Sequence, residues 1–551
     1  MKERTTPTRA ERRRQWLVKI DVTLRTYGIE AAQRLAVQAL DDGVEHPAVF
    51  NLAAQVRHDE GRFEEAVELL RRARTLAPKD PHVLNTLGIC LTGLERTDAA
   101  LQAYDAALRI DRDLAAVHFN RGALLEALDN ITAARSAYER AAVLDRNYVD
   151  PLASLAWLDA QAGDAMSARR FGQSALKLSP SNVLAHMALA SADLQQQDLT
   201  SAAARLSELS RNASLSPVNR SIVLGLIGDL HDAGNQPTEA FAFYEASNAA
   251  LKTLNAAKYE APGQETALEQ VRRLTAWFES ADRHSWQEAP AARPRAADPR
   301  AHIFLVGFPR SGTTLLENVL AAHPEVVSLE EKDCFAPETA EYLTSAEGLT
   351  RLTRISGGEA ARQRDAYWSA VRSFGIEARG RVFIDKMPLA SVHLPLVAKL
   401  FPNARVLFAQ RDPRDVVLSC FRRRFGMNRS MYQLLTLEGA AVLYEAVMRL
   451  SELYRQILPL PQHLIRYESL VEDFEGTCRT ACDFLGLEWD PQMADFAARA
   501  RTRGIATPSA AQVARGLNRE GQGTWRRYRE QMAPVLPLLE PWVQSFGYEP
   551  S

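Results

Sequence analysis

Apolar residues recur three and four positions apart almost without a break from about residue 16 to residue 251, as they do along successive amphipathic helices. A longer period lies beneath this one. Ala66, Ala100, Ala134, Ala168 and Ala202 follow one another at steps of 34 residues, and Ala73, Ala107, Ala141 and Ala175 keep the same step seven positions later in each unit. Gly88 and Gly122 mark an early small position, and Tyr104 and Tyr138 a later bulky one. Two small residues where helices cross, with one large residue filling the gap, describe a helix–turn–helix unit. Such a unit cannot bury its apolar face without a stacked neighbour. Gly61-Arg62 and Gly163-Asp164 fall at turns inside units, and Pro78-Lys-Asp-Pro81 falls between units. The pattern predicts about seven units over residues 16–252. The first, ending near Ala39, is degenerate, and the last, around 228–247, is displaced by a short insertion. A helical bundle without repeats is the competing reading, and five alanines in strict register argue against it.

The period lapses on either side. Residues 1–15 are rich in Arg, Thr and Glu and read as a flexible N-terminus. Over 253–300 one further helix is expected at 264–280, followed by a proline-rich linker at 288–299 that leaves each half with its own core. The pattern then changes kind. His302-Ile-Phe-Leu-Val306 is a short apolar run of the sort found in buried parallel strands, and 315–322 reads as helix. Between them stands Gly307-Phe-Pro-Arg-Ser-Gly-Thr-Thr314. Strand, glycine loop and helix in that order predict an α/β domain of phosphate-loop type with a central parallel sheet over 301–551. The loop's amides and the helix N-terminus would cradle an anion.

The bulk numbers narrow the class of function. With 551 residues the chain needs at least two cores, and a formal net charge of -2 argues against a dedicated nucleic-acid or membrane-surface protein. The five cysteines, Cys90, Cys334, Cys420, Cys478 and Cys482, show neither a pairing framework nor metal spacing. Cys478 and Cys482 are expected to pack as small apolar groups. With no signal-like segment and no run of membrane-spanning length, the cytoplasm is the expected location.

The loop departs from ordinary nucleoside triphosphatases in one respect. Thr313 stands where the lysine of G-x-x-x-x-G-K-[ST] would reach the β/γ-phosphates, which argues against an ATPase or kinase. About a hundred residues on, Arg405-Val-Leu-Phe-Ala-Gln410 reads as a second strand. Arg411-Asp-Pro-Arg-Asp-Val-Val-Leu-Ser419 follows, with Pro413 placed to open a helix.

Two resemblances follow from these motifs. The 34-residue units resemble tetratricopeptide repeats, which implies an all-α solenoid with a concave face for a protein or peptide. Pro309-Arg-Ser-Gly-Thr-Thr314 together with Arg411 to Ser419 resembles the two phosphate segments of sulfotransferases, especially tyrosylprotein sulfotransferases and bacterial repeat-linked relatives. The resemblance runs from about 301 to 548. It implies 3′-phosphoadenosine 5′-phosphosulfate as co-substrate and no metal. Pro309, Arg310, Ser311, Gly312, Thr313 and Thr314 would hold the 5′-phosphosulfate, and Arg411, Ser419 and Arg423 the 3′-phosphate. Tyr467, in Arg466-Tyr-Glu-Ser-Leu-Val471, is implied as a further nucleotide contact. Lys386, in Ile384-Asp-Lys-Met-Pro388, and Ser509 would stabilise the bridging oxygen, and the segment 521–525 resembles a loop that closes over the cofactor. Glu331 falls where the relatives carry a catalytic base, with Glu330 as its neighbour and rival.

The acceptor stays open. Relatives follow the base with basic residues suited to acidic peptides, whereas this chain has Lys332 and Asp333, so a hydroxyl or amine on a peptide, glycan or small molecule is to be considered. Blander readings stand beside the sharp ones. A phosphate-loop kinase is one such reading of the loop, with Asp385 as its magnesium-binding carboxylate. Arg422 to Arg424 fit a solvated helix face, and Glu331 fits a surface salt bridge. A catalytically silent scaffold that senses nucleotide is the rival from another class. Neither nucleic acid nor a membrane span is expected among the partners, and a homo-oligomer is compatible with the sequence.

Overall fold

The computed structural model describes residues 8–288, 298–503, 513, 516–519 and 521–551, with the backbone alone for 500–503. Helix begins at Arg9, earlier than the apolar pattern predicts, because Thr8 and Glu11 form a capping box. The Glu11 amide donates to Thr8 Oγ1 at 3.2 Å, and the Thr8 amide to Glu11 Oε2 at 2.8 Å. The segment expected to be flexible is therefore helical from Arg9 onward.

The repeat register is carried by burial. All nine alanines of the two series are fully buried. A Cβ at Gly122 would lie 2.8 Å from the Tyr138 ring, so the bulky tyrosine of one helix fills the notch left by the glycine of the other. The turns repeat as well. Gly61, Glu95, Asp129, Gly163 and Gln197, each 34 residues from the last, all have positive φ, and Asn235 follows four residues late. The delay sits in one helix. Pro217–Ala233 has 17 residues where Val183–Gln195 has 13, an excess of about one turn, so Ala240 returns to the buried face and Tyr244 packs on Gly228.

By compactness the chain divides into Met1–Asp159 with Ser167–Ala188, and Ala160–Met166 with Leu189–Ser551. That division does not fall at the expected linker. The hairpin Pro217–Ala233 and Pro237–Tyr259 and the helix Ala267–Glu279 belong to the second unit. Ala240, Tyr244, Val271, Leu274, Phe278 and Trp286 share one core with Phe304, Phe383 and Phe408 of the sheet. An apolar residue before the linker finds its partners after it, which no local periodicity reports.

The sheet has five parallel strands in the order β2-β3-β1-β4-β5: β1 Ala301–Gly307, β2 Val326–Glu330, β3 Val382–Lys386, β4 Arg405–Gln410 and β5 Gln462–Arg466. Its residues alternate between two cores. Phe304, Val306, Phe383 and Phe408 face the large core, while Ile303, Leu305, Ile384 and Leu407 face a second one with Leu316, Cys478 and Cys482. Both faces are covered, as parallel sheets require. The carboxyl edge is what remains for chemistry. Strand order reverses beside β1, and ligands of open α/β sheets bind at such a switch point.

Candidate functional site

Every strand delivers a sequence-predicted residue to that edge. Glu330 and Glu331 end β2, Lys386 ends β3, the glycine loop leaves β1, Arg411 follows β4 and Tyr467 follows β5. Register sets them side by side: Glu330 lies opposite Lys386, and Gly307 opposite Ala409.

The loop turns tightly into the helix Thr313–Ala321. A Cβ at Gly307 would stand 2.7 Å from both Ala409 O and Ser311 Oγ, so only glycine lets the strand end approach β4 this closely. Gly312, at φ +98, caps the helix beneath the Tyr467 ring. Arg310 between them has φ +69, an uncommon conformation for a residue with a side chain, as does Glu331 at φ +48. Among the described residues the other four non-glycine residues of positive φ form turns of the repeat hairpins, which leaves these two as a feature of the site.

Around β1 and β4 the charge is positive. Arg310 Nε donates to Ser419 Oγ at 3.0 Å, and Arg411 Nη1 donates to Arg310 O at 3.0 Å. The Arg411 guanidinium lies 4.8 Å from the centre of the Tyr467 ring, a cation–π pair. Burial, then the neighbouring charges of Arg423 and Arg411, bring the Arg310 guanidinium down to about 9. Ser311 Oγ and Arg411 Nε are buried and find no hydrogen-bond partner among the described residues. Thr313 and Thr314 are buried at the head of the helix. Pro309 offers its carbonyl to Cys420 Sγ at 3.3 Å.

Around β2 and β3 the balance is reversed. Lys386 is fully enclosed, with Nζ 2.7 Å from Glu331 Oε1, 3.4 Å from Glu330 Oε1 and 3.6 Å from Glu317 Oε2. Burial alone would lower its pKa, yet Glu331, then Glu330 and Glu317, hold it above its ordinary value. Of the three carboxylates Glu331 is the outermost, with 38% of its side chain exposed against 13% for Glu330 and none for Glu317. The Glu331 amide donates to Lys386 O at 2.8 Å, fixing the turn that presents it.

Sequence reasoning missed Glu317 and Asp415. Glu317 accepts from Ser328 Oγ at 2.7 Å beneath Lys386. Its signal was a lone carboxylate inside an otherwise apolar helix. Asp415 accepts the amides of Gly523 at 2.7 Å and Trp525 at 2.9 Å, and burial pushes its pKa up to about 6 against the pull of Arg411. It ties segment 521–525 to the helix Pro413–Arg422, and Arg411 Nη2 binds Gly521 O from the same side. Asp385 faces away from the edge. It accepts from the Tyr367 hydroxyl at 2.7 Å inside an aromatic cluster, where burial pushes its pKa up to about 7. Ser509 lies outside the described residues.

Residues 302–491 match the sulfotransferase family, and residues 57–128 and 25–81 match tetratricopeptide-repeat families. The chain carries a sulfotransferase-family domain behind tetratricopeptide repeats. An uncharacterized protein of Aquifex aeolicus is 26% identical over 43% of this chain, a match that spans only 32% of that protein. Protein-tyrosine sulfotransferase 1 of Danio rerio is 28% identical over 45% of this chain and 72% of its own length. Among solved structures, a tetratricopeptide repeat protein from Parabacteroides merdae covers 43% of this chain and 93% of its own at 15% identity, with a TM-score of 0.33. No helix among the described residues is long and apolar enough to cross a membrane.

Proposed function

We propose that the chain transfers a sulfuryl group from 3′-phosphoadenosine 5′-phosphosulfate to a hydroxyl acceptor, with the repeats recruiting that acceptor or a partner protein. The observation that carries this reading is the split of charge along the sheet edge. Three arginines and two buried donors without partners among the described residues lie in and around the glycine loop, which suits a ligand with two separate anionic groups. Arg310, Ser311, Thr313, Thr314 and the loop amides beginning after Pro309 would hold its 5′ end. Arg411, Ser419 and Arg423 would hold the 3′-phosphate, beside Tyr467. Bound there, the co-substrate supplies an activated sulfuryl group and departs as the 3′,5′-bisphosphate.

Glu331 is assigned as the base that takes the acceptor proton, because it is the exposed member of the carboxylate cluster. Lys386, enclosed behind it, orients that carboxylate and sets a fixed positive charge beside the reacting centre. The Danio rerio relative is named for protein tyrosine, which makes a tyrosine hydroxyl the first acceptor to try.

A thermal-shift comparison tests the donor assignment. Adenosine 3′,5′-bisphosphate should raise the Tm without magnesium, and ATP should do so weakly. Stronger, magnesium-dependent stabilisation by ATP would overturn the reading in favour of a kinase.

A further inference from the structure

Where the helix Pro413–Arg422 ends, the chain runs Arg422-Arg423-Arg424, and the three guanidiniums do not share one environment. Arg422 binds Asp232 of the last repeat hairpin, and its guanidinium lies 5.3 Å from the Tyr244 ring centre and 5.2 Å from that of Tyr528. Arg424 Nη1 donates to the backbone carbonyl of Ile222 at 2.8 Å. It packs where Gly225 leaves a notch in the helix, and a Cβ at that position would overlap Arg424 Nη1. One residue before Arg422, Phe421 O accepts from Asn248 Nδ2 at 2.8 Å. The chain is thus gripped by the hairpin on both sides of Arg423.

Arg423 itself is extended, at φ -103 and ψ 137, so its side chain leaves on the side opposite to its neighbours. With Arg422 and Arg424 committed to the hairpin, Arg423 leaves on the other side of the chain, close enough to Arg310 for its charge to be felt there. Asp232 reaches further. It accepts from Arg527 Nη2 at 2.7 Å and from the Tyr528 hydroxyl at 2.6 Å, which anchors the residues that follow segment 521–525. One carboxylate on a repeat helix therefore holds both the end of the arginine segment and the segment that carries Gly521.

We propose that this last repeat hairpin is a working part of the donor site. Asp232 and the Gly225 notch are positioning elements that aim Arg423 at the donor's phosphate, so affinity for the donor is set partly from the repeat side. The inference rests on the donor assignment above, and its test separates the two.

In the full chain, Gly225→Ala adds one methyl on a helix, where alanine is the better helix former, and displaces the guanidinium end of Arg424 from the notch. The apo Tm should change little, because the helix-propensity gain offsets the lost Arg424 hydrogen bond, while calorimetry should show adenosine 3′,5′-bisphosphate bound about tenfold more weakly, the scale of one misplaced charge-assisted contact. Asp232→Asn should weaken binding to a similar degree by a different route. Arg423→Gln placed on top of Gly225→Ala should cost little more than either change alone, because both act through one side chain. Failure of the unaltered chain to bind the bisphosphate would overturn the donor assignment itself. Binding by the unaltered chain with both Gly225→Ala and Asp232→Asn within about twofold of it would overturn this inference and leave that assignment standing.

Discussion

Along the carboxyl edge of one sheet, two clusters on neighbouring pairs of strands solve opposite electrostatic problems. On the β2 and β3 side a single ammonium, Lys386, is shared among Glu317, Glu330 and Glu331. On the β1 and β4 side Arg310 feels the charges of Arg411 and Arg423. In the first cluster the ammonium is enclosed by carboxylates, and Glu331 reaches furthest toward solvent. The second leaves buried donors at Ser311 and Arg411 without partners among the described residues. Like charges are gathered at a cost of desolvation and repulsion, and such gatherings mark functional sites when a ligand of opposite sign completes them. The two ends also differ in what supports them. The acidic end is built from strand ends and the loop helix, whereas the arginine end is buttressed by a repeat hairpin more than 150 residues away in sequence.

The largest effect should come from removing that buttress. A chain beginning at residue 300 loses Tyr244, Leu274, Phe278 and Trp286 from the core they share with the sheet, together with Asp232. Losing several large buried side chains at about 3–5 kcal/mol each exceeds the stability of most domains. Such a fragment should fail to fold or to bind the bisphosphate, while one beginning near residue 189 should do both. A folded, bisphosphate-binding fragment from residue 300 would erase the contrast drawn between the two ends. Next in size is the base. Glu331→Gln keeps the shape and removes basicity, so transfer should fall by about 10² to 10⁴ while bisphosphate affinity stays nearly unchanged. Glu330→Gln, on a largely enclosed neighbour, should do far less. Measured turnover in which Glu330→Gln is the damaging change would reverse the assignment.

What could be read from the sequence was what repeats locally or matches a motif. The alanine series and the Gly/Tyr notches lie at fixed spacing because each hairpin meets the same packing problem. The positive-φ turns were legible only at Gly61 and Gly163. Glu95, Asp129, Gln197 and Asn235 take the same conformation without a glycine to announce it. The strands at 302–306 and 405–410 were legible from their apolar runs, whereas Glu330, Glu331, Lys386 and Tyr467 were found only by motif resemblance, and all of those residues reach one edge. The rest depended on pairs distant in sequence. Arg422 and Arg424 fit a solvated face until Asp232 and the Gly225 notch are seen beside them. Proline in the linker suggested two cores, but the apolar stripe of the last hairpin had its partners beyond it.

The smallest effect should come from Glu317→Gln. Breaking a buried ion pair usually costs about 3–5 kcal/mol, because the remaining charge is left without a partner. Here the ammonium would keep Glu331 at 2.7 Å and Glu330 at 3.4 Å, and the group removed is the most distant of the three. It is also the weakest of the three in raising the lysine's pKa. One carboxylate fewer relieves repulsion inside the cluster, and the amide oxygen of glutamine can still accept from Ser328 Oγ. The two terms oppose each other, so urea unfolding at pH 7 should change by no more than about 1 kcal/mol. Turnover should drop less than about tenfold, since Lys386 would still fix Glu331. A stability loss of several kcal/mol would mean that Glu317, and not Glu331, is the principal partner of Lys386. The acidic end would then be a buried structural pair with an exposed glutamate beside it.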